Sequence, residues 1–330
     1  SAPPFAYELS VMRVRPQEAE GLDLSALRVA CVGAEQISPA PLERFATALA
    51  PAGFRREAFL PCYGMAECSL AISFSGLGET VHVDHVASEG MQRGGVAEAV
   101  DPEAARSKGQ HVTGYVDCGR PLPGFEVAIR DETGADLPER QAGVIHLRGP
   151  SVMREYFGDA ARTAETLSAA GWLDTGDIGY LAEGRLYITG RKKDMMIIHG
   201  RNIWPQDLEY VAKAQPGVHY NDVAAFSVPS PDGEKEQAIV VVQCRERDDA
   251  KRAELRKTIT ATVRSELGID CFVELVPTRT LPRTSSGKLA RARARTEFLD
   301  RRRVEAAQKV REMPRARDDV AGDTPLRYSA

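Results

Sequence analysis

The residues best suited to chemistry cluster between Trp172 and Glu209. The run Trp172-Leu173-Asp174-Thr175-Gly176-Asp177 puts a carboxylate on a tight Gly turn. Gly190-Arg191-Lys192-Lys193-Asp194 then supplies a fixed cation, and Gly200-Arg201-Asn202-Ile203-Trp204-Pro205 a second Gly turn. Together an ionised carboxylate and a guanidinium at this spacing suit a ribose and a phosphate. Taken singly, Asp177 is an ordinary turn former and Arg191 an ordinary hairpin arginine. Two further stretches stand out: Tyr63-Gly64-Met65-Ala66-Glu67 and the loop Leu281-Pro282-Arg283-Thr284-Ser285-Ser286-Gly287-Lys288. The second is not a Walker-type phosphate loop, because it lacks the upstream glycine and follows its lysine with Leu289. Read alone, the first is a core turn and the second a solvated basic loop.

The elements that must position these residues follow an α/β rhythm. Leu27–Val32 reads as a buried strand stopped by Gly33, and Ser38-Pro39 starts a helix with Leu42, Phe45, Ala46 and Leu49 on one face. Phe59-Leu60 reads as a short second strand ending in Pro61-Cys62-Tyr63-Gly64. In such sheets ligands gather beyond the carboxyl ends of the strands, where Gly33-Ala34-Glu35 and the Tyr63 turn would lie. The pattern weakens over 76–113, which is expected to be a flexible or inserted segment. Gly119–Ile188 reads as short strands (Glu126–Arg130, Val144–Arg148, Leu186–Thr189) in a compact, β-barrel-like subdomain. From Lys193 the pattern becomes that of a small α+β domain. Pro205 opens a helix bearing Leu208, Val211 and Ala212, strands are expected at Val223–Val228, Ala238–Cys244 and Phe272–Val276, and a helix carries Leu255, Ile259, Val263 and Leu267 before Gly268. The expected division is 1–113, 114–192, a small mobile domain over 193–300, and a tail or linker over 301–330.

Composition narrows the classes. Hydrophobic residues make up 43% and the net charge is −4, which argues against a protein that coats nucleic acid. No apolar run reaches the ~18–20 residues of a transmembrane segment, and a cytoplasmic location is expected. The six cysteines are scattered without a CxxC pair, as suits reduced, buried thiols. Neither His146 nor His199 sits in a metal or triad spacing, and the Arg291–Arg303 run reads as a solvated helix face, with phosphate recognition on a carrier protein as the alternative.

With their order and spacing, these motifs resemble the adenylate-forming, or AMP-binding, enzyme superfamily from about Phe5 to Leu299. The resemblance implies an α/β fold made of an α/β sheet subdomain, a β-barrel-like subdomain and a small mobile C-terminal domain. It implies that Gly33, Ala34 and Glu35, with Cys62, Tyr63, Gly64, Met65 and Ala66, line the nucleotide pocket, Tyr63 stacking on adenine. Glu67 would hold Mg2+, Asp177 would accept the ribose hydroxyls, and Arg191 would sit near the ribose and α-phosphate. Lys193 would be the hinge. Lys288 would enter the site in the adenylating pose and offset charge developing at the α-phosphate. Ala66 departs from the pattern, since most relatives place Thr there.

Leu60-Pro61-Cys62-Tyr63-Gly64-Met65-Ala66-Glu67 and Gly200-Arg201-Asn202-Ile203-Trp204-Pro205-Gln206-Asp207 are similar to the fatty acyl-AMP ligase branch in particular. That branch carries an insertion, thought to restrain the small domain, where this chain has about 50 residues between Glu67 and Gly119. The implied reaction joins a fatty acid to ATP as an acyl-adenylate, releasing pyrophosphate. The acyl group then passes to the thiol of an acyl carrier protein or of a carrier domain in a polyketide synthase or nonribosomal peptide synthetase. A long-chain acyl-CoA synthetase and a non-catalytic carrier-docking fragment are the alternatives. The superfamily's Ser/Thr/Gly-rich phosphate loop does not occur in the chain, so it is expected to lack the N-terminal part of the enzyme and to adenylate poorly by itself.

Overall fold

A computed structural model describes residues 1–312 apart from 16, 17, 20, 220, 221, 231–234 and 286, with side chains followed to Val304. The remaining tail, 313–330, and Ser286 of the lysine loop lie outside the described residues. Along the chain, α1 (Pro4–Arg13), β1 (Ala30–Val32), α2 (Pro39–Leu49), β2 (Phe59–Met65) and β3 (Leu70–Phe74) come first. Next are β4 (Val83–Ala87), α3 (Ser88–Gly94), α4 (Pro102–Ser107), β5 (Val112–Val116), β6 (Arg120–Pro121), β7 (Glu126–Arg130) and β8 (Gly143–Arg148). They are followed by α5 (Ala160–Thr166), β9 (Leu173–Ala182), β10 (Arg185–Arg191), β11 (Met196–Ile198), β12 (Arg201–Ile203) and α6 (Pro205–Lys213). Last come β13 (Val223–Pro229), β14 (Glu236–Gln243), α7 (Asp249–Leu267), β15 (Cys271–Val276) and α8 (Arg291–Glu312).

The first sheet has the order β1-β2-β3-β6. Its β1–β2 pair is parallel, as the strand-helix-strand pattern requires, and β2–β3 is an antiparallel hairpin. Proline opens α1 and α2, where its missing N–H costs nothing. Leu42, Phe45, Ala46 and Leu49 face inward from α2. Phe45 meets Tyr7 and Phe54 edge-on, both at 5.0 Å between ring centres. Two expectations are corrected here. The first strand is shorter than 27–32, because Leu27 and Val29 are exposed. The second runs on through the Tyr63 motif instead of ending at Leu60. Pro61 does not stop it, since the ladder there uses its carbonyl, which accepts from Ser75 N at 2.9 Å. Gly64 makes the hairpin possible: a Cβ at that position would lie 1.7 Å from Leu70 O.

The second sheet, β10-β9-β8-β7, is antiparallel and open; its four strands do not close into a barrel, which refines the expected barrel-like subdomain. The stretch 76–113 is ordered rather than irregular. Strands β4 and β5 pair antiparallel with α3 and α4 between them. This unit packs its own core of Val86, Met91, Ala97 and Tyr115 against Tyr180 and Tyr187 of β9 and β10. Buried Asp84 accepts from Tyr180 at 2.8 Å and from Arg140 at 3.0 Å. A stacked Tyr180–Tyr187 pair completes that wall.

Beyond Arg191 the chain makes a 3-10 turn, Lys192–Asp194, then the β11–β12 hairpin closed by His199 and Gly200, both at positive φ. The third sheet, β13-β14-β15, is buried on both faces, so its strands are nearly continuous apolar runs. Val223, Ala225 and Val240 pack with α6 and α7, whereas Phe226, Ile239 and Val241 pack with Phe298 of α8. Asp248 caps α7 through Lys251 N at 2.9 Å, and Gly268 ends it at φ 65°. The Trp204 indole lies flat on the chain at Gly190, where an added Cβ would sit 2.6 Å from its ring.

Candidate nucleotide site

Asp177 reaches its place through a bulge rather than a free turn. On β9, Thr175, Gly176 and Asp177 stand opposite Ile145 alone on β8. Gly176 takes φ 66°, which an L side chain would resist. Side chains replace the lost ladder bonds: Thr175 Oγ1 donates to Ile145 O at 2.8 Å and accepts from Asp177 N at 3.1 Å, and Asp174 Oδ1 accepts from Gly176 N at 2.8 Å. The bulge turns the Asp177 carboxylate towards the first sheet, 7% exposed.

There Tyr63 donates its hydroxyl to Asp177 Oδ2 at 2.7 Å, and Arg191 Nε lies 3.2 Å from Oδ1. Burial pushes the Asp177 carboxyl up, and the Tyr63 bond and the Arg191 charge partly restore it. Burial and the adjacent carboxylate hold the Tyr63 phenol well above its usual range. Arg191 stays 60% exposed, so its guanidinium has room for a further anion. The nearby Glu67 charge adds to the rise of the Asp177 carboxyl.

Glu67 sits in a 3-10 turn, Ala66–Cys68, at the end of β2. The segment before α5 wraps this turn at three points. Met153 N donates to Glu67 O at 2.7 Å, Ser151 Oγ donates to Cys68 O at 2.8 Å, and Tyr156 OH donates to Glu67 Oε1 at 2.9 Å. No group of three or more acidic, His or Cys side chains converges to hold a metal among the described residues. One half-buried carboxylate with one oxygen already bonded does not fit a resident all-protein metal. It does fit a Mg2+ held mainly by substrate phosphates and water.

Across the site, Ala34 takes φ 68° and its carbonyl accepts from Lys288 Nζ at 2.7 Å. The lysine loop is shaped by Thr284, whose N donates to Lys288 O at 2.8 Å and whose Oγ1 accepts from Lys288 N at 3.2 Å. Gly33 packs on Cys62: an added Cβ would lie 2.8 Å from Cys62 O. The Cys62 thiol donates to Val32 O at 3.3 Å and burial pushes it up to about 11. Glu35 is exposed and accepts from Phe5 N at 3.1 Å. Met65 is half-buried and Ala66 exposed. Lys193 is exposed in the 3-10 turn, next to Asp194, which lies 3.6 Å from Arg291.

Thus Tyr63, Glu67, Asp177 and Arg191 gather on one side, and Lys288 meets the Gly33–Ala34 loop. The model of the AMP-binding enzyme family matches residues 1–157. Over that stretch the chain is similar to the family. It is 42% identical, over 90% of its length, to a putative acyl-CoA synthetase of Caulobacter vibrioides, covering 51% of that protein. It is 34% identical to the medium-chain-fatty-acid–[acyl-carrier-protein] ligase JamA of Moorena producens, over 90% of this chain and 51% of JamA. A solved chain from a study of the fatty acyl-adenylate ligases of E. coli and L. pneumophila superposes with a TM-score of 0.84 at 42% identity, covering 92% of this chain and 53% of that one. The chain therefore spans about half the length of the curated AMP-binding relatives it matches. The α/β fold and the resemblance to fatty acyl-AMP ligases both hold. No described helix is long and apolar enough to cross a membrane.

Sequence reasoning missed three features in and near this candidate site. Tyr156 was one, because Glu155-Tyr156-Phe157-Gly158-Asp159 carries no signal beyond a helix start. The Ala34 carbonyl was another, since a backbone acceptor has no residue type. The third is the buried Arg291–Glu209 pair, joined at 2.7 and 2.8 Å, which the arginine run concealed.

Proposed function

We propose that the chain is the catalytic portion of a fatty acyl-AMP ligase. A fatty-acid carboxylate oxygen attacks the α-phosphorus of ATP, the bond to the bridging oxygen breaks, and pyrophosphate leaves. The phosphopantetheine thiol of an acyl carrier protein then takes the acyl group and AMP departs. The observation that carries this reading is the meeting of Lys288 with the Ala34 carbonyl at 2.7 Å, which brings the lysine to the rim of the loop assigned to adenine.

In this reading Asp177 accepts the ribose hydroxyls, with Tyr63 holding one of its oxygens in place. Arg191 and Lys288 neutralise charge at the α-phosphate, and Gly33–Glu35 with Cys62–Ala66 line the base pocket. Lys193 is the hinge. Glu67 would hold Mg2+, which supplies charge neutralisation at the phosphates. The protein contributes mainly position and preorganised charge.

The insertion supports the acyl-AMP ligase over a CoA-forming enzyme. Arg201 of β12 is bonded to Gln92 of α3, and also donates to Leu267 O at 2.8 Å and Gly268 O at 3.1 Å. The inserted unit thus grips the small α+β part. The name of the Caulobacter vibrioides relative favours the acyl-CoA synthetase instead. Two measurements on the intact enzyme test the proposal. Lys288→Ala should lower fatty-acid-dependent pyrophosphate exchange by about 10²–10³-fold with the melting temperature held. Acyl transfer should go to carrier protein and not to CoA; preferential acyl-CoA formation would hand the assignment to the synthetase.

A further inference from the structure

We propose that Tyr156 is a positioning residue for the Glu67 carboxylate, fixing which oxygen is offered to the metal that accompanies the nucleotide. The inference rests on the reading of Glu67 given above. Tyr156 OH donates to Oε1 at 2.9 Å, so that oxygen has a partner and Oε2 is left for a cation. A carboxylate gripped in this way cannot spin to present both oxygens equally, and its charge stays aimed in one direction.

Tyr156 is itself held at its backbone and at its ring. Tyr156 N donates to Thr163 Oγ1 at 2.9 Å, tying the backbone to α5. Asp159 caps α5 through Arg162 N at 3.0 Å. That cap places the Arg162 guanidinium over the Tyr156 ring, 4.2 Å from its centre. A cation on the ring face withdraws electron density and strengthens the phenol as a donor. The same segment also grips the backbone of the Glu67 turn through Met153 and Ser151. The short helix α5 fully buries none of its own residues, and among the described residues it is anchored on the core only by Leu167 just after its last turn. Its function is to buttress Tyr156.

The test removes only the hydroxyl. Tyr156→Phe keeps the ring and its cation contact, and is compared in the intact enzyme with Glu67→Gln and with the double variant. Water-proton relaxation of Mn2+ in the presence of a non-hydrolysable ATP analogue reads the ternary complex without turnover. Tyr156→Phe should weaken Mn2+ in that complex by about tenfold, the low end for loss of a group that orients a metal ligand. Binding of the metal-free analogue should be unchanged, and in the Glu67→Gln background the hydroxyl should have no further effect. An unchanged Mn2+ titration for Tyr156→Phe, with Glu67→Gln impaired, would overturn this proposal and leave the Glu67 assignment standing. Equal losses in both backgrounds would also overturn it. A Glu67→Gln enzyme that titrates normally would remove the metal role of Glu67 itself, and this inference with it.

Discussion

At the scale of single residues, the site works by giving each charge a fixed neighbour. Tyr63 illustrates a double use: an aromatic expected for its face also supplies the hydroxyl that pins Asp177. Tyr63→Phe should therefore cost ATP affinity about tenfold, the effect of losing one hydrogen bond to a charged group, and should also lower the melting temperature, because the buried Asp177 loses a donor. A titration with ATP checks it. Glu209 is the clearest source of pH dependence. Burial raises its carboxyl, but Arg291 and Lys213 outweigh burial and hold it below the usual range. A carboxyl lowered on folding contributes stability above its unfolded value, about 4.3, and that contribution is lost as pH falls through the folded value. Acid should thus destabilise the α6–β13–α8 packing first, and Glu209→Gln should remove that part of the acid sensitivity. The substitution should cost about 3 kcal/mol at neutral pH, because it leaves Arg291 with only the longer Asp194 contact. Urea unfolding at pH 7 and pH 4 reads both effects.

Among the elements, the hairpin β2–β3 and the bulge in β9 decide where the acids point. Gly64→Ala would force a Cβ to within 1.7 Å of a carbonyl oxygen, so the hairpin must part. We expect about 3 kcal/mol of destabilisation, the upper end for overpacking, together with loss of nucleotide binding. The comparison of sequence with structure is most instructive at this scale. Helices α2, α6 and α7 were legible because an opening proline or a closing glycine agrees with the apolar spacing there, although Ser38 makes no side-chain cap bond to α2. Strand β9 was not: a bulge at Gly176 breaks the alternation that marks a strand, so Thr175-Gly176-Asp177 read as a turn. The ordered β4–β5 unit was equally hidden, since its strands are joined through two helices and no hairpin turn advertises the pairing. The site's acids and bases were readable by type and order, whereas the loop that grips Glu67 was not, because three backbone and hydroxyl bonds leave no pattern in composition.

For the whole molecule, the β4–β5 unit and the lysine loop each make a contact that sets the small part against the rest. Gln92 grips β12 from one side and Ala34 receives Lys288 on the other. Gln92→Ala should free one of them. Hydrogen exchange at β12 and cleavage near Lys193 should both quicken, with pyrophosphate exchange retained; unchanged exchange at β12 would show that the contact restrains nothing.

The indole of Trp204 against Gly190 has an optical consequence. The chain has two tryptophans, and the other, Trp172, is flanked by the guanidiniums of Arg130 and Arg148 at 4.5 and 5.0 Å. With Trp172→Phe a single emitter remains, lodged where the strand bearing Arg191 meets α6 of the small α+β part. Its emission wavelength should shift if the proposed rotation at Lys193 parts that contact, readable in a stopped-flow cuvette without any attached dye.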